Sequence, residues 1–154
     1  MGIVHSQNVC YAFYMAVLSI QKQFLPEDRL RKLGIGIVYL FGSHAEGVAG
    51  AASDIDIGVA LLRPSALKHT ASDLYAELYD LLTDAFDMQN FRDMDIVFLD
   101  RAPLELRFDV ITHGRVLFES DAQFRLDYEE RTAMLYRDFK PLLEVFNEAI
   151  LERV

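Results

Sequence analysis

The sequence predicts one mixed α+β domain, a small sheet flanked by helices, and three observations predict it. Residues 35–41 (IGIVYLF), 54–62 (DIDIGVALL) and 94–99 (MDIVFL) are short, apolar and rich in β-branched or aromatic residues, as buried strands are. Between and after them, apolar residues recur at helical spacing, most clearly at Leu67, Ala71, Leu74, Leu78, Leu81 and Ala85. At 154 residues, 52% hydrophobic and 25% charged, the chain has enough apolar surface for one core. It shows no internal repeat, low-complexity tract or linker, so residues 1–154 are read as a single domain, with a motif-bearing core over 35–99 and a helical C-terminal part over 121–152.

Taken in order, residues 5–24 read as an apolar helix that ends before Pro26. Within it, VCYAFYMAVLSI (9–20) is shorter than the roughly 20 apolar residues a membrane-spanning helix needs. It also lacks a preceding basic residue and a small-x-small cleavage site. A cytoplasmic protein with no membrane association is expected. Its one cysteine, Cys10, excludes an internal disulfide and suits a reducing compartment. Residues 27–32 make a charged helical turn closed by Gly34. The first strand, 35–41, runs straight into Gly42-Ser43, where a short helix is expected to start. The second strand, 54–62, places Asp54, Asp56 and Gly58 on one face and Ile55, Ile57 and Val59 on the other. Pro64-Ser65 breaks it, and a helix follows over 67–85. After the third strand, Pro103 opens a short helix carrying Leu104, Phe108 and Ile111, and Gly114 stops it. Residues 115–119 form a fourth, edge strand. From 121 to 152 the pattern is one long helix, with Pro141 as a kink or break.

Charge narrows the partners. With 15 basic and 24 acidic residues, the net charge is −9. Binding along a nucleic-acid backbone draws on Lys and Arg, so long nucleic acid is excluded as a partner. A small polyanion stays accessible where a divalent cation reverses the local field.

The chemistry concentrates between Leu40 and Val59. A glycine at the end of a buried strand lets a phosphate approach the backbone, and the free N–H groups of a helix start favour an anion. Gly42 and Ser43 occupy that position, and the Ser43 hydroxyl adds a donor. Further along, Asp54-x-Asp56 projects two carboxylates to one side of an otherwise apolar strand, which is costly unless a cation offsets them. There is no Lys or Arg between Lys32 and Arg63, so a metal ion is the simplest offset. Asp95, heading the third strand, completes a three-carboxylate set of the kind that supports two-metal phosphoryl chemistry if the strands are neighbours. Asp93 is set aside as a ligand in favour of Asp95, Asp100 is read as a solvated loop residue, and no His/Cys spacing suggests zinc.

Gly42-Ser43, Asp54-x-Asp56 and the later Asp95-Ile-Val resemble the signature of the nucleotidyltransferase superfamily that includes DNA polymerase beta. The compact form is most similar to the minimal nucleotidyltransferases (MNT), many of which are antitoxins paired with a HEPN ribonuclease toxin. The resemblance covers residues 35–99 and extends more loosely over 114–119 and 136–139. It implies a polymerase beta-like fold, with Gly42 and Ser43 holding the triphosphate. It further implies that Asp54 and Asp56 bind two Mg²⁺ ions, and that Asp95 binds the second metal and helps deprotonate the acceptor. The implied reaction moves AMP from ATP to a hydroxyl, in the antitoxins a tyrosine of the cognate HEPN toxin. Many relatives carry Arg where this chain has Glu46, which implies weaker triphosphate binding or a different nucleotide. Two other functions fit the same residues. One is an antitoxin that neutralises by binding alone, through the aromatic outer helices; the other is a transferase for a small acceptor such as an aminoglycoside. Oligomerisation is left open.

Overall fold

The computed structural model describes residues 25–49, 53–86 and 93–151. The expected helix over 5–24, with Cys10, lies outside the described residues. Helix α1 (Glu27–Lys32) is followed by strand β1 (Ile35–Phe41) and the short helix α2 (Gly42–Glu46). Strand β2 (Ile55–Leu61) and helix α3 (Leu67–Ala85) come next, then β3 (Met94–Phe98) and a 3-10 turn at Leu99–Arg101. Helix α4 (Leu104–His113), strand β4 (Arg115–Glu119) and helix α5 (Ala122–Leu151) complete the chain. The described elements make the mixed α/β fold that the strand and helix periodicities predict.

The four strands lie in the order β3-β2-β1-β4, so β4 is an edge strand, as expected, and β3 is the other edge. Strand β1 runs antiparallel to β2 and β4, whereas β2 and β3 are parallel. A parallel pair needs a crossover, and α3 supplies it.

Alternation along the central strands divides the core in two. Val38, Leu40, Ile55, Ile57, Val59 and Ile96 pack against Leu30 and the α3 residues Leu74, Leu78, Leu81 and Leu82. On the opposite face, Ile37, Tyr39 and Ala60 pack against Leu99, Val110 and, less buried, Phe124 and Tyr128. Gly58 is the thinnest point of that face: a Cβ there would stand 3.2 Å from both Leu99 and Val110 side chains, so glycine lets α4 close onto the sheet. Tyr39 reaches through this layer and donates its hydroxyl to Glu129 at 2.9 Å, while Arg125 bridges Glu129 and Glu119. Burial, first, and the facing Glu129 carboxylate push the Tyr39 phenol far above its ordinary range, so it remains a donor.

Two details depart from the sequence reading. Pro141 does not break the last helix, which runs through it from Ala122 to Leu151; helical neighbours on both sides outweigh one lost N–H. Asp100 is not merely solvated: its carboxylate accepts the Leu61 N–H at 2.9 Å, and burial raises its pKa against that bond. Helix α5 starts on an Asp121 cap, with the Phe124 N–H donating to the carboxylate at 2.9 Å. Its first half packs through Phe124, Tyr128, buried Thr132 and Tyr136, which stacks on Phe108 at 4.0 Å. Its second half leaves Phe139, Leu142, Val145 and Phe146 exposed.

Truncating Leu78→Ala, fully buried at the centre of the larger core, should cost about 3 kcal/mol, whereas Leu142→Ala on the exposed half of α5 should change stability by less than ~0.5 kcal/mol. Urea unfolding of the isolated chain measures both.

Candidate active site

The site sits at one end of the sheet, where β1 finishes and β2 and β3 begin. In the parallel ladder Asp56 is the direct partner of Asp95. Parallel neighbours stand about 4.8 Å apart with side chains on the same face, so the two carboxylates lie side by side. Asp56 also faces Phe41 on the other strand, one residue before Gly42. Asp54 precedes β2 by one residue rather than lying within it, as the longer predicted strand had placed it. It is exposed, as is Asp95, whereas Asp56 is half-buried.

Gly42 explains how the chain turns from strand into helix beside these acids. Its φ is +65°, which disfavours any L side chain. A Cβ there would also collide with the Asp56 carboxylate. Backbone and carboxylate are thus in contact because residue 42 has no side chain. Ser43, half-buried, follows in the first turn of α2, and its carbonyl accepts the Val48 N–H at 3.1 Å as the helix closes. His44 points back across the loop, its Nε2 3.2 Å from the Ser53 carbonyl oxygen.

The electrostatics follow from this crowding. Desolvation, then the charges of Asp95 and Asp54, hold the Asp56 carboxyl above the ordinary carboxylate range, and only His44 pulls it down. A hard divalent cation among the three carboxylates relieves this repulsion, and an all-oxygen donor set suits Mg²⁺. In chemistry the residues fit that ion. Their positions do not yet make a cage: among the described residues no three His, Cys, Asp or Glu side chains already converge in ligating geometry. Asp54 and Asp95 are exposed and Asp56 is half-buried.

Sequence reasoning did not find the wall beside these acids. Asp54, Asp93, Met94 and Asp95 line an open cleft of about 490 Å³ with Tyr75 and Tyr79 of α3. The two rings stack at 6.2 Å and 19°. Asp93 accepts the Met94 N–H at 2.8 Å and the Tyr79 hydroxyl at 3.2 Å. The signal present in the sequence was the i, i+4 spacing of the tyrosines, which puts them on one helix face.

A family model described as polymerase beta, nucleotidyltransferase matches residues 27–123, which span α1 to the start of α5. The chain belongs to this family. Both the fold and the sheet end that carries Gly42, Asp54, Asp56 and Asp95 fall inside the matched residues. Among solved structures, a toxin–antitoxin complex crystallised with AMP-PNP contains a chain 25% identical, with a TM-score of 0.60 over 82% of this chain and 99% of that one. A protein from Shewanella oneidensis is 22% identical, with a TM-score of 0.56 over 80% of this chain and 92% of that one. A complex of a tri-AMPylated Shewanella oneidensis HEPN toxin with its MNT antitoxin contains a chain 24% identical, with a TM-score of 0.50 over 85% and 99%. No curated protein matches.

Because Asp56 holds its proton more tightly folded than unfolded, its ionisation lowers stability as pH rises through the interval above the ordinary carboxylate range. Below that range both states are protonated and the effect disappears. Asp56→Asn should therefore raise the urea midpoint at neutral pH in chelator and leave it unchanged in acid. Loss of stability at neutral pH in chelator would contradict the repulsion.

Proposed function

We propose that this protein is an Mg²⁺-dependent adenylyltransferase that moves AMP from ATP to a tyrosine hydroxyl of a cognate HEPN toxin and so acts as its antitoxin. The observation that carries this reading is the pairing of Asp56 with Asp95 across β2 and β3, with Gly42 pressed against Asp56. The similar chain solved with AMP-PNP comes from a toxin–antitoxin complex, and the similar MNT antitoxin sits beside an AMPylated HEPN toxin; both support the choice of nucleotide and acceptor.

In this reading Gly42 leaves room for the triphosphate at the end of β1, and the Ser43 hydroxyl donates to it. Asp54, Asp56 and Asp95 would hold two Mg²⁺ ions, which would supply charge neutralisation for the triphosphate and the leaving pyrophosphate. Asp95, exposed at the sheet edge, takes the proton of the acceptor hydroxyl. The acceptor oxygen forms a bond to the α-phosphorus, the bond to the bridging oxygen breaks, and pyrophosphate leaves with that electron pair. In-line displacement of this kind rests mainly on positioning and electrostatics, which a rigid sheet end provides.

The exposed apolar half of α5 favours a second reading, neutralisation by covering the toxin without chemistry. Asp95→Ala separates the two, because masking survives it and transfer does not.

With α-labelled ATP, Mg²⁺ and the cognate toxin, label should pass to the toxin, and Asp54→Ala or Asp56→Ala should reduce the rate by at least about 100-fold. Absence of label on the toxin with folded wild-type protein contradicts the proposal.

A further inference from the structure

The cleft beside β3 has a composition that the nucleotide does not explain. It is lined by Asp54, Asp93 and Asp95 together with Tyr75 and Tyr79, whose rings stack on each other and pack, partly buried, against the larger core. None of the described residues that line it is basic. A triphosphate, itself an anion, is repelled by such a surface unless metal intervenes, and Asp93 is not among the carboxylates assigned to metal. A cation with a flat face is attracted twice, by the exposed part of the tyrosine rings and by the Asp93 carboxylate bonded to Tyr79. Guanidinium meets both conditions: planar, always charged, and able to stack on a ring while donating to a carboxylate. The cleft also opens next to Asp95, the side from which an acceptor hydroxyl has to arrive.

We infer that this cleft is the acceptor-side subsite and that it selects a basic polypeptide segment, with an arginine next to the modified residue seated on Tyr75 and Tyr79 and paired with Asp93. The inference rests on the proposed function for the word acceptor, and on the cleft alone for its preference. The Tyr79 hydroxyl bond to Asp93 holds the ring edge and the carboxylate together at 3.2 Å, so the two recognition elements are set in place before the segment arrives. The net charge of −9 draws basic chains toward the surface in general, and the tyrosine wall distinguishes arginine from lysine among them.

The test uses the full chain with Mg²⁺ and fluorescein-labelled pentapeptides in which one tyrosine is flanked by two arginines, two lysines or two glutamates. Binding is read by anisotropy at about 0.15 M salt, which screens diffuse attraction. The arginine peptide should bind about 5-fold tighter than the lysine peptide and far tighter than the glutamate peptide. Tyr75→Leu with Tyr79→Leu should erase the arginine preference. Asp93→Asn, which keeps an oxygen for the Met94 N–H, should weaken the arginine peptide about 5-fold without unfolding the chain. Equal affinity for arginine and lysine peptides, or a preference that survives the tyrosine variants, overturns the inference. Adding ATP separates it from the function it rests on. Transfer to a toxin without any arginine preference leaves the adenylyltransferase standing and removes this subsite. Arginine-selective binding with no transfer to any hydroxyl removes the adenylyltransferase, and with it the acceptor role of the cleft.

Discussion

Two carboxylates held side by side by a parallel strand pair are the constraint on which the rest of this molecule turns. Asp56 and Asp95 are register partners, so neither can move away from the other without moving its strand. Both strands are anchored by residues with no exposed surface, Ile55, Ile57 and Val59 in β2, with Met94 and Ile96 nearly as deep in β3. Burial first, and then the neighbouring charges of Asp95 and Asp54, raise the pKa of Asp56 in this setting. Structures tolerate such strain where a ligand relieves it. Gly42, at a positive φ and in contact with the same carboxylate, is the second half of the arrangement: it brings backbone where a side chain would stand.

The fold explains why this end of the sheet is rigid and the adjoining surfaces are not closed. The larger core, under α3, and the smaller one, under α4 and the first half of α5, clamp the central strands from both faces. Polar contacts reinforce that clamp, through Tyr39 to Glu129 and through the Asp100 carboxylate on the Leu61 N–H. Beside Asp95, α3 contributes Tyr75 and Tyr79 to the lining of an open cleft. The paired carboxylates and the two tyrosines thus meet at one edge of the sheet.

Much of this was legible in the sequence. Strands 35–41 and 94–98 announce themselves by continuous apolar character, because a sheet covered on both faces leaves no polar alternation. Gly42, Asp56 and Asp95 stand out because each breaks that apolar pattern at a strand end. The register that makes Asp56 and Asp95 neighbours was only conditional, since pairing between strands separated by a helix is a tertiary fact. Asp100 was misread because nothing local marks a loop carboxylate that reaches a distant amide 39 residues away. Of the two outcomes expected at Pro141, kink or break, the break does not occur, since local propensity yields to a helix already committed on both sides. Tyr75 and Tyr79 were not singled out in the sequence, and only the position of α3 beside β3 brings them into one cleft with Asp93 and Asp95.

The claim that everything else leans on is that Asp54, Asp56 and Asp95 together hold divalent metal with a nucleoside triphosphate. Electron paramagnetic resonance of Mn²⁺, titrated into the protein with a non-hydrolysable ATP analogue, measures this without requiring any acceptor. The account predicts bound Mn²⁺ that depends on the nucleotide and weakens by at least about 10-fold in Asp56→Asn and in Asp95→Asn, each verified as folded. Mn²⁺ and nucleotide bound with undiminished affinity in both variants would contradict it.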